Sequence, residues 1–219
     1  MIELAIFDLD GVIVDTAKYH YLAWKRLAAE LGFFFSEEHN ERLKGVSRMR
    51  SLEILLEVGG IEKSPEEKEE LAARKNEWYV EYITQMDESE ILPGALAFLQ
   101  EAKQAGVKIA LGSASKNARL ILDRLGLTDL FDCIVDGTVV SKAKPDPEVF
   151  SRAAEDLNIA PNKCVVFEDA FAGIEAGRRA GMYTIGVGDP EILHEAHLVI
   201  PSLNDASFVD LCNRLPNNP

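Results

Sequence analysis

The sequence predicts an α/β fold: a doubly wound parallel sheet whose core is interrupted by an all-helical insertion. Three observations carry this. A short apolar run, Leu4-Ala5-Ile6-Phe7, stops abruptly at Asp8-Leu9-Asp10-Gly11, as a buried parallel strand does. From Ile91 onward, short apolar runs alternate with helical patterns ended by glycine, the grammar of right-handed strand–helix–strand crossovers. Between Val14 and Glu90 no convincing strand occurs.

The elements follow in order. After the first strand, Thr16 to Leu31 reads as a helix, capped by Asp15 or Thr16 and ended by Gly32. Helical stretches follow over Glu37 to Lys44 and Arg50 to Val58, and Gly59-Gly60 breaks the pattern. Ser64-Pro65-Glu66-Glu67 is a helix start with N-cap, proline at the first position and a capping box, and that helix runs to about Met86. Pro93-Gly94 opens a helix ending near Gly106. Val107 to Leu111 is a strand, Ala118 to Leu125 a helix, and Asp132 to Val135 a strand. Pro147 to Leu157 is helical, Cys164 to Phe167 a strand, Ala172 to Ala180 a helix, Tyr183 to Val187 a strand and Leu198 to Ile200 a short strand. Residues 215–219 read as a frayed tail. The expected division is a discontinuous core, residues 1–13 and 89–219, and a helical cap, residues 14–88, with hinges near Val14-Asp15 and Glu88-Glu90.

Composition narrows the class. The chain has 219 residues, 47% hydrophobic and 27% charged, with a net charge of −14. Such an acidic surface opposes nucleic acid and anionic membranes, so neither is an expected partner. It also repels phosphorylated ligands, so any phosphate site needs local Lys, Arg and metal. Cys133, Cys164 and Cys212 lack metal-ligand spacing and form no disulfide framework. Cys164 sits in an apolar run and reads as a core residue. No secretory pattern opens the chain and no apolar run approaches spanning length, so the expectation is a cytoplasmic protein. No coiled-coil seam is seen, which leans to a monomer.

Ligands of open parallel sheets sit beyond the carboxyl ends of the strands. Three such ends carry chemistry: Asp8 with Asp10, Ser113, and Glu168 with Asp169. Lys144 joins them from the loop before the helix at Pro147. One carboxylate of an Asp-x-Asp pair can attack an electrophile and the other can move protons. A hard cation such as Mg²⁺ suits oxygen ligands of this kind. Together these residues form a kit for phosphoryl transfer, which asks mainly for positioning and charge neutralisation. Singly each has a bland reading: a turn serine, a solvated lysine, a helix cap. Their order along the chain argues against coincidence.

The phrase Phe7-Asp8-Leu9-Asp10-Gly11-Val12-Ile13-Val14-Asp15-Thr16, followed by Ser113, Lys144-Pro145 and Glu168-Asp169, resembles the haloacid dehalogenase superfamily and its Rossmann-like core. Within it, Thr16 to His20, Trp24-Lys25, Leu43 to Arg48, Arg74-Lys75-Asn76 and Ser113 to Asn117 resemble the β-phosphoglucomutase family. The resemblance implies an Mg²⁺-dependent phosphotransferase that converts β-D-glucose 1-phosphate to glucose 6-phosphate through β-glucose 1,6-bisphosphate. It implies Asp8 as the nucleophile that becomes aspartyl phosphate and Asp10 as general acid and base. Asp8, the Asp10 carbonyl and Asp169 would hold Mg²⁺, with Glu168 near or in the shell. Ser113, the Ala114 amide and Lys144 would grip the transferring phosphate, and Arg48, Ser115, Lys116 and Asn117 the other one. His20, Trp24, Lys44, Gly45, Val46, Ser47, Ser51 and Lys75 would line the cap side, with Thr16 and His20 helping to place Asp10. A mutase needs two phosphate sites because its bisphosphate turns end for end, and it must keep water from the phosphoaspartate, which a closing cap does.

The sequence departs from the family pattern at three places. Gly112 stands where alanine is expected, Ala170 where serine is common, and residues 136–143 differ more. Two other readings stay open at this point. One is a capped sugar-phosphate phosphatase; the other is a sensor that binds hexose phosphates without turnover.

Overall fold

In the computed structural model, residues 1–43 and 47–219 are described. Six parallel strands form one sheet: β1 (Leu4–Phe7), β2 (Lys108–Gly112), β3 (Cys133–Val135), β4 (Cys164–Glu168), β5 (Tyr183–Val187) and β6 (Leu198–Ile200). Their order is β3-β2-β1-β4-β5-β6. Direction of travel across the sheet reverses between β1 and β4, so the crevice beyond their carboxyl ends is the natural ligand position of a doubly wound sheet. Register brings the two ends level: Phe7 pairs with Phe167, and the Asp8 N–H extends the ladder to the Phe167 carbonyl at 3.0 Å.

The chain divides into two units, Met1–Asp15 with Met86–Pro219, and Thr16–Gln85. In the first, helices α5 (Ala95–Gln104), α6 (Ala118–Arg124), α7 (Glu148–Asp156), α8 (Phe171–Arg179) and α9 (Phe208–Arg214) accompany the sheet. Every residue of β1, β4 and β5 is buried, as expected of strands covered on both faces. Phe7 stacks on Phe167 at 4.7 Å between ring centroids, and Phe98 meets both edge-on. Such aromatic pairs add about 0.5–1.5 kcal/mol each beyond area burial. They fix the strands from which Asp8 and Glu168 emerge.

The second unit holds α1 (Ala17–Glu30), α2 (Glu37–Glu41), α3 (Arg48–Gly59) and α4 (Pro65–Ile83), with no strand among the described residues. The Ser64 cap forms as the sequence predicts: Ser64 Oγ accepts from the Glu67 N–H, and Glu67 accepts from the Ser64 N–H at 2.9 Å. The helix stops at Ile83, short of Met86, where Thr84 Oγ1 donates back to the Val80 carbonyl at 2.6 Å. The second helix stops at Glu41, and Arg42 and Leu43 form a turn, so it is shorter than the expected stretch to Lys44, a residue outside those described. No helix among those described is long and apolar enough to cross a membrane.

One helix was not legible. α9 is short, and its start is held from outside: Glu101 of α5 accepts from Ser207 Oγ at 2.7 Å and from the Phe208 N–H at 2.9 Å. Ser207 also caps the helix locally, its Oγ accepting from the Asp210 N–H at 3.3 Å, so a local signal was present, but seven residues give little periodicity to go with it. His197 is half-buried, and its Nδ1 lies 3.0 Å from both the N–H and the hydroxyl of buried Thr184.

Candidate active site

The site starts where β1 ends. Asp8 is buried, and the chain then folds into a tight loop in which the Ile13 and Val14 N–H groups donate to the Leu9 carbonyl and the Gly11 N–H to the Val14 carbonyl. Gly11 has φ +77°, a conformation that side chains resist, and a Cβ there would run into the Asp169 carboxylate. Glycine is thus required twice, once for the turn and once for the approach of Asp169.

Lys144 links two strand ends. Its ammonium lies 2.5 Å from Asp8 Oδ1 and 2.5 Å from Glu168 Oε1, and all three side chains are nearly buried. The Lys144–Pro145 peptide is cis. The second Glu168 oxygen accepts from the Ala170 N–H at 2.9 Å. That bond explains how α8 starts without a side-chain cap at Ala170, one of the departures from the family pattern. Burial opposes the charge on Lys144, but Asp8 and Glu168 more than offset it and hold its pKa above the ordinary value. Asp8 is pushed well above the carboxylate range, by burial first and then by Glu168, Asp169 and Asp10, against the pull of Lys144. Asp169 is more exposed as a residue. Burial of its carboxyl, followed by the charges of Glu168 and Asp10, pushes it up to about 7.

One ammonium therefore faces an excess of carboxylates. Asp8, Glu168 and Asp169 present ligand oxygens within 4.8 Å of one another. Hard oxygen donors, tightly grouped and short of positive charge, fit a hard divalent cation, whose charge would return the carboxylates to their ionised forms.

Ser113 follows β2, is buried, and donates its N–H to the Val135 carbonyl at 3.0 Å. Its Oγ accepts from the Ser115 N–H at 3.1 Å, and Ser115 Oγ accepts from the Asn117 N–H at 3.2 Å. These bonds wind residues 113–117 into a compact turn that carries Ala114 and exposed Lys116 and leads into α6. Gly112 has a packing reason. A Cβ there would lie 2.7 Å from the Phe150 ring and 3.1 Å from Ile6.

The helical unit gathers a second group. Lys75 on α4 is buried, and its ammonium lies 2.8 Å from His20 Nδ1, 4.5 Å from the Trp24 ring centroid and 4.9 Å from that of Tyr79. His20 stacks on Tyr79 at 4.0 Å. Burial, then the charge of Arg48, lowers Lys75 to about 7. His20 is lowered well below the ordinary range by burial first, then by Lys75 and Arg48. Ser47 caps α3 through the Arg50 N–H at 3.3 Å, and buried Ser51 donates its N–H to the Ser47 carbonyl. Thr16 occupies the N-cap position of α1 and is buried.

The structure thus brings together Asp8, Lys144, Glu168 and Asp169 in one unit, and His20, Trp24 and Lys75 in the other. Lys44, Gly45 and Val46 lie outside the described residues. Tyr79 was missed by sequence reading. It sits one helical turn after Lys75, at the spacing that puts two side chains on one face, which was the available signal.

The fold and the acidic strand ends define the class of protein. The chain belongs to the haloacid dehalogenase-like hydrolase family, which matches residues 2–181. It is 45% identical over 208 residues to the β-phosphoglucomutase of Bacillus subtilis (strain 168), covering 94% of this chain and 92% of that protein. A crystal structure of β-phosphoglucomutase from Clostridium difficile superposes with a TM-score of 0.90 at 45% identity, covering 98% of this chain and 97% of the other. A phosphorylated carbohydrates phosphatase of Thermotoga maritima is 34% identical over 206 residues, 93% of this chain and 88% of that protein.

Proposed function

We propose that this protein is a β-phosphoglucomutase, interconverting β-D-glucose 1-phosphate and glucose 6-phosphate through an aspartyl-phosphate enzyme and β-glucose 1,6-bisphosphate. The observation that carries the choice of reaction is the 45% identity to the Bacillus subtilis mutase over nearly the whole of both chains. The chemistry is supported by Lys144 standing against Asp8 at the switch point of the sheet.

In this reading the Asp8 carboxylate attacks the phosphorus of a sugar phosphate. The new bond is between an Asp8 oxygen and phosphorus; the bond that breaks is the one from phosphorus to the sugar oxygen. Asp10 gives that oxygen its proton. In the other half-reaction Asp10 takes the proton of the C6 hydroxyl of β-glucose 1-phosphate, that oxygen attacks the phosphoaspartate, and the bond from phosphorus to the Asp8 oxygen breaks; the bisphosphate so formed turns end for end before Asp8 takes its C1 phosphate and glucose 6-phosphate leaves. Lys144 and Ser113, with the Ala114 amide, hold the transferring phosphate and offset the charge that develops on it. Asp8, Asp169 and the Asp10 carbonyl would hold Mg²⁺ beside Glu168, and the ion supplies further neutralisation of phosphate charge. Arg48, Ser115, Lys116 and Asn117 take the second phosphate. Among the described residues neither Arg48 nor buried Lys75 makes an ion pair, which leaves cations for an anionic ligand.

The test follows β-glucose 1-phosphate with Mg²⁺ and a trace of the 1,6-bisphosphate by phosphorus NMR. Glucose 6-phosphate with little inorganic phosphate is expected. A second reading, a sugar-phosphate phosphatase, is favoured by the similarity to the Thermotoga maritima phosphatase, and inorganic phosphate as the main product would establish it.

A further inference from the structure

Residues 136–143, expected to differ most from the family pattern, lead directly to Lys144. The structure shows what fastens the end of this stretch. Glu148, the first residue of α7, turns its carboxylate back on the chain. The Ser141 N–H donates to both Glu148 oxygens at 3.0 Å, Ser141 Oγ donates to Oε2 at 2.9 Å, and the Lys142 N–H donates to Oε2 at 2.8 Å. Inside this closure Asp146 donates its N–H to the Ala143 carbonyl at 3.0 Å and accepts the Glu148 N–H at 3.1 Å on Oδ1. Residues 141–148 form a ring sewn shut by hydrogen bonds, with Lys144 inside it.

The ring stands on a rigid base. Val149 and Phe150, the next residues of α7, are buried in the core of the sheet, and the Lys144 ammonium lies 4.8 Å from the Phe150 ring centroid. A carboxylate that accepts several N–H and O–H bonds holds its donors in a defined geometry, and no neutral side chain offers so many acceptor positions. The bonds from Ser141, its backbone N–H first, also hold the Glu148 pKa below the ordinary range.

We propose that Glu148 is a positioning residue for Lys144: by closing the 141–148 ring onto α7 it sets where the ammonium stands between Asp8 and Glu168. This rests on the mutase reading, which puts Lys144 on the transferring phosphate. Glu148 itself bonds neither Asp8 nor Glu168 and acts only through the loop. Glutamine at 148 keeps the length of the side chain but turns an NH₂ group toward N–H donors, so the ring loosens.

The experiment is a double-mutant cycle of Glu148→Gln and Lys144→Ala, reading kcat and KM for β-glucose 1-phosphate and the melting temperature of each variant. Glu148→Gln is expected to leave KM nearly unchanged and to lower kcat by up to about 100-fold, the cost of a misplaced group. In the Lys144→Ala background the same change should alter kcat by less than about twofold, because the two residues act as one unit. An equal loss of kcat in both backgrounds, or no loss in either, overturns the proposal. Should Glu148→Gln fail to fold, Ser141→Ala removes only the hydroxyl bond and is expected to show a smaller loss with the same dependence on Lys144. If the unsubstituted protein releases inorganic phosphate without isomerisation, the mutase reading fails, and the same cycle read on phosphate release still decides the role of Glu148.

Discussion

His20 Nδ1 and Lys75 Nζ lie 2.8 Å apart in the helical unit, and among the described residues neither makes an ion pair. A buried lysine without a carboxylate is held near neutrality, here at a pKa of about 7 against about 10.4 for a free side chain. The unfolded chain therefore binds a proton at residue 75 that the folded chain lacks between those two values. Stability should rise as pH increases from about 7 toward about 10. Urea unfolding at pH 7 and pH 9 measures this. Lys75→Met should be more stable at pH 7 and should lose most of the rise; on the proposed reading it should also lower mutase activity, because the substrate loses a hydrogen-bond donor.

The two carboxylates of Asp8-Leu9-Asp10 should separate by variant. Asp8→Asn is expected to abolish turnover and the acid-labile phosphoenzyme trapped from the 1,6-bisphosphate. Asp10→Asn is expected to bind Mg²⁺ normally and to lose rate by about 10²–10⁴-fold, the usual contribution of general acid–base catalysis. Near-normal turnover in Asp8→Asn would sink the covalent mechanism. Arg48→Ala should impair isomerisation far more than hydrolysis of a small phosphate ester; equal losses would count against a second phosphate site.

Metal binding should compete with protons at the strand ends. Asp169 is pushed up to about 7 and Asp8 is also raised, so below that pH a cation must displace a proton to bind. Mg²⁺ affinity measured by titration calorimetry is expected to weaken from pH 8 to pH 6. At 100 times Kd, Mg²⁺ should stabilise the fold by about 2.7 kcal/mol, read as a rise in melting temperature that EDTA reverses. Asp169→Asn should remove most of that rise. A melting temperature indifferent to Mg²⁺ at pH 8 would contradict the assignment of this cluster.

Much of the core was legible because its elements are locally specified. The β1 run and the glycines after helices each act within a few residues, and they placed the sheet and the three strand ends; the Ser64-Pro65 capping box did the same for α4 in the helical unit. What escaped depends on contacts distant in sequence. Glu101 adds its bonds to the start of α9 from α5, and the stacking of Tyr79 on His20 joins two helices. Glu148 was passed over because a glutamate at the start of a helix is unremarkable until its oxygens are seen on Ser141 and Lys142.

Gly11→Ala should damage fold and metal site together. The left-handed conformation costs an alanine about 1–2 kcal/mol, and the added carbon meets the Asp169 carboxylate. Both a lower denaturation midpoint and weaker Mg²⁺ binding are expected. Loss of stability with unchanged Mg²⁺ affinity would show that Asp169 moves aside without consequence.

Gly112 tests whether its glycine is compensated by its neighbour. The space a Cβ would need is occupied by the Phe150 ring, 2.7 Å away, and both residues are fully packed. Introducing a methyl group into such a core costs about 1–3 kcal/mol. Gly112→Ala alone should lower the unfolding free energy by that amount. Because Phe150 lies under the Lys144 ammonium at 4.8 Å, displacing the ring should also lower kcat. Phe150→Leu alone leaves a cavity and destabilises as well. Combined with Gly112→Ala, however, the smaller side chain makes room for the methyl group, and the double variant should be more stable than the sum of the single losses predicts. Chemical denaturation of the four proteins measures the coupling, which residues in contact show at about 0.5–3 kcal/mol. Strict additivity would mean that glycine at 112 answers to something other than Phe150.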